Sequence, residues 1–289
     1  MTNDGTVSWR ALLAQATTDL GDANEARWLC EEVCGERGAA FQQRLGELAT
    51  HRAVVRFDAL LARRAAGEPL QYVLGSWPFR TVELMVDARV LIPRPETEVV
   101  AGIALDLART FPAPITAVDL GTGSGAIALS LAAELPIGSV AVWGTDVSDD
   151  ALHVARANLA GIGRRGSAVR FVPGNWYDAL PAELMGNVSL IVSNPPYIAT
   201  DDPAVGASVT DWEPHLALFA DHDGLAAYHL IVPAVPAWLA NGGWLVLEIG
   251  YRQAAAVSDL CRQAGLVDIE VRQDLAGLDR AVIAREPAM

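Results

Sequence analysis

The chain has 289 residues, a mass of 30.7 kDa, and 35 acidic against 21 basic side chains, for a formal charge of −14. Every basic residue is Arg and none is Lys, which excludes Schiff-base lysine enzymes, P-loop proteins and protein kinases. Hydrophobic content of 52% with 19% charged residues suits a globular chain with a sizeable core. No apolar run reaches membrane-spanning length, and the N-terminus MTNDGTVSWR lacks the basic and apolar regions of a secretory signal.

The first 67 residues read as helices. Ser8 is placed to cap a helix through about Leu20, stopped by Gly21. Asp22 with Glu25 has the form of a capping box for a helix to about Cys34, stopped by Gly35. A third helix starts near Thr50, ends at Gly67, and carries Val54, Phe57 and Leu61 on one side. Residues 68–92 are richer in β-branched and aromatic residues. Gly75-Ser76-Trp77-Pro78 reads as a turn cluster and Thr81 to Val86 alternates as a strand, so this stretch is expected to be a hairpin linker. Glu96 to about Thr110 reads as a helix with Val99, Val100, Ile103 and Leu107 on one face.

From residue 115, strands and helices alternate. Strands are expected at 115–120, 139–146, 168–172, 188–194, 243–249, 266–271 and 279–284, with helices at about 125–135, 149–160, 224–239 and 251–264. The pattern implies an α/β domain over 93–289 with a mostly parallel seven-stranded sheet closed by an antiparallel hairpin. The three cysteines, Cys30, Cys34 and Cys261, read as reduced and cytosolic, with Cys30 and Cys34 packing a helix. His51, His153, His215, His222 and His229 lack ligand spacing, so no metal is expected.

Gly121-Thr122-Gly123-Ser124-Gly125 sits where the first of these strands turns into a helix. Glycines there let the backbone approach a ligand. The spacing is G-x-G-x-G, and the third Gly comes too early for the dinucleotide fingerprint. The next strand ends at Asp146, where a carboxylate can accept both hydroxyls of a ribose. The pattern indicates an adenosine-containing ligand, S-adenosylmethionine ahead of NAD.

Asn194-Pro195-Pro196-Tyr197 follows the fourth strand of this region. Strand C-terminal ends line the crevice of a parallel sheet, so this segment and the glycine-rich loop are expected to share a cavity. The prolines fix φ and remove donors, leaving an acceptor-rich platform. The Asn194 side-chain oxygen and the Pro195 carbonyl are placed to accept the two N–H bonds of a planar NH2 group, with Tyr197 against its plane. Together the motifs read as a methyltransferase acting on a planar nitrogen, either a nucleobase amino group or a protein carboxamide. The charge disfavours the first: no Arg occurs between Arg170 and Arg252, while that stretch holds Asp178, Glu183, Asp201, Asp202, Asp211, Glu213, Asp221, Asp223 and Glu248.

The chain resembles the release-factor glutamine N5-methyltransferases, the HemK/PrmC family. The resemblance rests on Gly67 to Gly75, Leu91 to Glu98, Asp119 to Ala128, Asn194 to Ile198, Glu213-Pro214 with Ala217-Leu218, and Asp274 to Gly277 with Arg280. It implies an N-terminal helical domain over 1–67, a β-hairpin linker over 68–92, and a seven-stranded Rossmann-like class I methyltransferase domain over 93–289. The implied cofactor is S-adenosylmethionine, leaving as S-adenosylhomocysteine. The implied substrate is the Gln of the Gly-Gly-Gln loop in peptide chain release factors. By resemblance Gly121, Thr122, Gly123, Ser124 and Gly125 contact the cofactor, Asp146 holds its ribose and Trp176 lies by its adenine. Asn194, Pro195, Pro196 and Tyr197 bind the glutamine, with Asn194, Pro195 and Tyr197 catalytic and Asn194 also touching cofactor. Asn175 stands where family members often carry Asp. The expected protein is a cytoplasmic monomer without direct nucleic-acid or membrane partners; the alternative is an adenine N6-type nucleic-acid methyltransferase. Arg94, between two prolines, is placed either to anchor a carboxylate or to close the linker. Glu248, near a strand end, reads either as facing the cavity or as solvated.

Overall fold

The computed structural model describes residues 6–200 and 211–288. The chain divides into two compact units, Met1–Gly75 and Ser76–Met289.

The first unit is helical: α1 Trp9–Leu20, α2 Ala23–Cys34, α3 Gly38–Arg44, α4 His51–Ala65 and α5 Leu70–Leu74. The Ser8 hydroxyl accepts from Ala11 N, and Asp22 Oδ1 accepts from Asn24 N at 2.7 Å and Glu25 N at 3.1 Å. These caps satisfy amides that have no partner inside the helix. Glu25 does not complete a capping box; it pairs with Arg64 of α4 at 2.6 and 2.9 Å. Trp9, Leu12, Leu29, Phe41, Phe57 and Leu61 close the core. Cys30 is buried in it, with its thiol pushed up to about 12, so it packs and does not react.

Two features of 68–92 differ from the sequence reading. Residues Leu70–Leu74 are helical and belong to the first unit. The hairpin pairs β1 Ser76–Phe79 with β2 Val82–Met85, so its turn is at Arg80-Thr81, not at Gly75–Pro78. Arg80 takes a left-handed φ of 51°. Its guanidinium holds that turn by donating to Glu134 at 2.7 and 2.8 Å and to the Glu98 carbonyl at 2.9 Å.

Helix α6, Pro95–Ala108, buries Thr97, Val100, Ala101, Ala104, Leu105 and Ala108. Of the expected face of Val99, Val100, Ile103 and Leu107, Val100 is buried and the other three are partly buried, so the inner face is rotated toward the alanines and Leu105. The sheet follows, in chain order: β3 Ile115–Leu120, β4 Val140–Asp146, β5 Val169–Pro173, β6 Val188–Ser193, β9 Leu239–Glu248, β10 Val267–Gln273 and β11 Asp279–Arg285. Helices α7 Ala126–Glu134 and α8 Asp149–Gly161 connect the early strands. A small parallel pair, β7 Ile198–Ala199 and β8 Phe219–Ala220, lies outside the main sheet. The spatial order is β10-β11-β9-β6-β3-β4-β5, with the β10–β11 and β11–β9 pairs antiparallel and the other pairs parallel. The helix expected over 224–239 is broken into Ala226–Ile231 and Val235–Trp238, because Pro233 and Pro236 remove donors that a continuous helix needs.

Candidate active site

Leu120 and Ser193 are direct neighbours in the parallel β3–β6 pair, and the Ser193 hydroxyl donates to the Leu120 carbonyl at 2.6 Å. Gly121 and Asn194 come next in the chain, so the glycine-rich loop and the Asn-Pro-Pro-Tyr segment leave the sheet side by side. The strand order reverses between β3 and β6, and the crevice beyond such a reversal is where open α/β sheets bind ligands. A cavity of about 260 Å³ opens there, lined by Gly121 to Ser124, Asp146, Trp176, Asn194 and Pro196 among others.

The loop is held by its backbone. Gly121 N and Thr122 N both donate to the Thr145 carbonyl at 2.9 Å. Gly121 has a φ of 71°, and a Cβ on it would come 3.3 Å from the Trp176 ring, so that ring rests on the loop. Gly125 does not line the cavity: a Cβ there would meet Phe171 at 3.0 Å and Leu129 at 3.1 Å, so its absence allows helix α7 to pack. Asp146 Oδ2 accepts from Gly123 N and Oδ1 from Ser148 N, both at 2.9 Å. Burial raises its pKa and these amides oppose the rise. Each oxygen keeps acceptor capacity for a diol. Asp119 was not singled out from the sequence. It lies under the loop, where its Oδ2 accepts from the Thr122 hydroxyl at 2.6 Å and Ala128 N at 3.1 Å, and burial pushes it up to about 6.

On the other side, Asn194 Nδ2 donates to the Thr97 hydroxyl at 3.1 Å, which leaves Oδ1 as the free acceptor. Pro196 lines the cavity; Pro195 is buried, and neither Pro195 nor Tyr197 is among the lining residues. The Tyr197 hydroxyl instead lies 3.4 Å from Glu248 Oε1, and its carbonyl accepts from Gln253 Nε2 at 3.0 Å. Burial raises the Tyr197 phenol well above its ordinary value. Glu248 is 0% exposed, so it is not solvated, and burial pushes it up to about 7. Arg94 pairs with Glu213, whose other oxygen accepts from Ile92 N at 3.0 Å. Its carboxylate partner thus belongs to the chain itself, and the pair ties the start of α6 to the segment before His215.

Of the nine acids in the Arg-free stretch, Glu213 and Glu248 are buried, while Asp178, Glu183, Asp211, Asp221 and Asp223 are exposed; Asp201 and Asp202 lie outside the described residues. Among the described residues no group of His, Cys, Asp and Glu could hold a metal ion. Thr97, Gln253 and Gly224 were also missed. Only Thr97 gave a signal, through its place in the Pro93–Glu98 segment.

A seven-stranded sheet in this order, with its cavity between the ends of β3 and β6, defines a class I methyltransferase. Among solved structures, a methyltransferase from Pyrococcus furiosus superimposes with a TM-score of 0.50 at 16% identity, over 82% of this chain and 100% of that one. Residues 8–75 match the PrmC N-terminal domain and residues 101–210 the methyltransferase small domain. The chain is 44% identical to the release factor glutamine methyltransferase of Burkholderia pseudomallei, over 92% of this chain and 93% of that protein. It is 42% identical to the enzyme of the same name from Deinococcus radiodurans, over 96% of this chain and 98% of that one. The chain belongs to the release factor glutamine methyltransferase family.

Proposed function

We propose that the protein transfers a methyl group from S-adenosylmethionine to the side-chain amide nitrogen of the Gln in the Gly-Gly-Gln loop of peptide chain release factors. The observation that carries this reading is the single cavity shared by Gly121 to Ser124, Asp146, Trp176 and Asn194, in a chain of this family. The residues fit the cofactor. Gly123, with φ 55°, has no atom within 4 Å of where a Cβ would be, so the loop leaves room for a ligand against its backbone. Asp146 offers a diol-matching pair of acceptors, and Trp176 offers an aromatic face for adenine.

When bound, S-adenosylmethionine supplies an electrophilic methyl on sulfur and leaves as S-adenosylhomocysteine. An amide nitrogen is a poor nucleophile because its lone pair is delocalised. Asn194 Oδ1 and the Pro195 carbonyl each accept one N–H of the glutamine, which polarises the nitrogen and aims it at the methyl carbon. Transfer would leave the electron pair of the broken S–C bond on the departing sulfur and would release one N–H proton to solvent. Pro195 and Pro196 hold the carbonyl in place, and Tyr197 stiffens the segment from behind. The protein works as a cytoplasmic monomer on a protein partner. The nucleic-acid alternative is not favoured by the family membership.

The test is transfer of labelled methyl to a release factor and to its Gln→Ala variant at the Gly-Gly-Gln loop. Label only on the unaltered factor, mapped to that Gln by mass spectrometry, is expected. Equal labelling of both overturns the reading.

A further inference from the structure

The acceptor segment is gripped from behind by one side chain, Gln253, at the start of the helix Ala254–Gln263. Its Nε2 donates to the Tyr197 carbonyl at 3.0 Å, the Gly224 carbonyl at 3.3 Å and the Asp223 carbonyl at 3.4 Å. Its Oε1 accepts from Gly250 N at 2.9 Å and lies 3.4 Å from the Tyr228 hydroxyl. One amide thus joins the acceptor segment, the turn that follows β8 and the chain just past the end of β9. Two of its neighbours are glycines that leave it room. A Cβ on Gly224 would stand 2.8 Å from Nε2, and one on Gly250 would stand 3.0 Å from Oε1.

The polarity of these partners is fixed. A backbone carbonyl can only accept and a backbone N–H can only donate. Three carbonyls at one end and the Gly250 N–H at the other therefore set the orientation of the Gln253 amide. An ionised Glu in its place has no donor, and a Met has no N–H.

The turn that Gln253 grips is strained. His222, Asp223 and Gly224 have φ of 56°, 54° and 80°. Two consecutive non-glycine residues in the left-handed region persist only where the surroundings over-determine them. The turn follows β8, which pairs with β7 directly after Tyr197. The chain beyond Asn194 is thus held by a strand pair and by Gln253 together. Tyr197 is two residues from Pro195, and the φ angles of Pro195 and Pro196 are locked. A shift of the Tyr197 peptide therefore passes to the Pro195 carbonyl and to Asn194.

We propose that Gln253 is a positioning residue for methyl transfer: by pinning the Tyr197 carbonyl and the left-handed turn to the end of β9, it sets where the Asn194 and Pro195 acceptors stand. The inference rests on the functional reading above. Gln253→Glu is the test. It has the same shape and keeps the acceptor for Gly250 N, so a residue that only ties the helix start to β9 tolerates it. At the other end an oxygen replaces Nε2 and confronts three carbonyls, and the segment must move away. A displacement of about 1 Å can lower the rate on the order of 100-fold. With cofactor saturating and the temperature well below unfolding, kcat on a release factor should fall roughly 10- to 100-fold. Binding of S-adenosylhomocysteine, measured by calorimetry, should be unchanged, since Gln253 does not line the cavity. Gln253→Met should lose kcat in the same way. Wild-type kcat in Gln253→Glu overturns the proposal, and so does a fall in kcat matched by an equal loss of S-adenosylhomocysteine binding. If the Glu variant does not fold, Gln253→Met decides on the same two measurements. A wild-type enzyme that leaves the release factor unlabelled sinks the functional reading and the positioning role with it; an active wild type beside a full-rate variant sinks the positioning role alone.

Discussion

Gly224 offers a sharp test of how the acceptor segment is held. It lies far in sequence from both motifs, yet a Cβ on it would stand 2.1 Å from the Tyr197 carbonyl oxygen, 2.8 Å from the carbonyl carbon and 2.8 Å from Gln253 Nε2. Real Cβ contacts stay beyond 3.0 Å, so Gly224→Ala must displace the Tyr197 peptide by about 1 Å. Two terms add. The left-handed φ of 80° costs an Ala roughly 1–2 kcal/mol, and forcing apart packed backbone costs about 1–3 kcal/mol. For a domain of this size a kcal/mol moves Tm by roughly 2–4 °C, so Tm should fall on the order of 10 °C. The functional effect is separate. Tyr197 is three residues from Asn194 on a proline-stiffened segment, and a misplacement of about 1 Å can lower the rate on the order of 100-fold. Gly138→Ala is the control: its φ of 82° carries the same backbone penalty, but nothing lies within 4 Å of the added carbon. It should lose about 1–2 kcal/mol and keep full kcat. Calorimetric unfolding and kcat at saturating cofactor measure both. A Gly224→Ala enzyme with wild-type kcat would refute the claim that this glycine holds the acceptor segment.

Asp146→Asn replaces an oxygen that accepts a backbone N–H with an NH2 group, because Gly123 and Ser148 donate to the two oxygens separately. One donor must then face another, at about 1–3 kcal/mol. Cofactor affinity by calorimetry should weaken roughly 10- to 100-fold, with a far smaller change in KM for the release factor; unchanged affinity would remove Asp146 from the cofactor site. Salt is the other lever. Asp178, Glu183, Asp211, Asp221 and Asp223 are exposed in a stretch without Arg, and a protein partner adapted to ribosomal RNA should present a basic surface to them. Raising salt should lower kcat/KM on the intact factor more than on a short neutral peptide, and identical salt responses would count against an electrostatic encounter.

The glycine-loop half of the cavity was legible because one local pattern builds it. A strand, a run of alternating glycines and an acid at the next strand end all lie between Ile115 and Asp146, and the parallel β3–β4 pairing keeps sequence neighbours together in space. The turn at Arg80 was not legible. A left-handed Arg has no signature of its own, and the Glu134 that stabilises it lies 54 residues away. The helix over 224–239 was misread because apolar periodicity outweighed two prolines. Gly125 looked like a ligand contact, yet its missing side chain makes room for Phe171 and Leu129. Spacing alone cannot separate those two uses of glycine.

The acceptor half depends on non-local strand order. In the sheet, β6 runs between β3 and β9, so three strand ends meet although long stretches of chain separate them. β3 delivers the glycine loop, β6 delivers Asn194, and β9 delivers Glu248 beneath it. Asn194 therefore has the glycine-rich loop on one side and Thr97 of α6 on the other, where its Nδ2 donates to the Thr97 hydroxyl at 3.1 Å. An asparagine amide is ambivalent, since its two ends differ only in hydrogen-bond polarity. A binding site for an NH2 group needs that ambiguity removed. A backbone carbonyl such as that of Pro195 has no such ambiguity, because its oxygen can only accept. For the Asn194 side chain only neighbouring groups can do it, and the Thr97 hydroxyl that accepts from Nδ2 at 3.1 Å is placed to turn Oδ1 the other way.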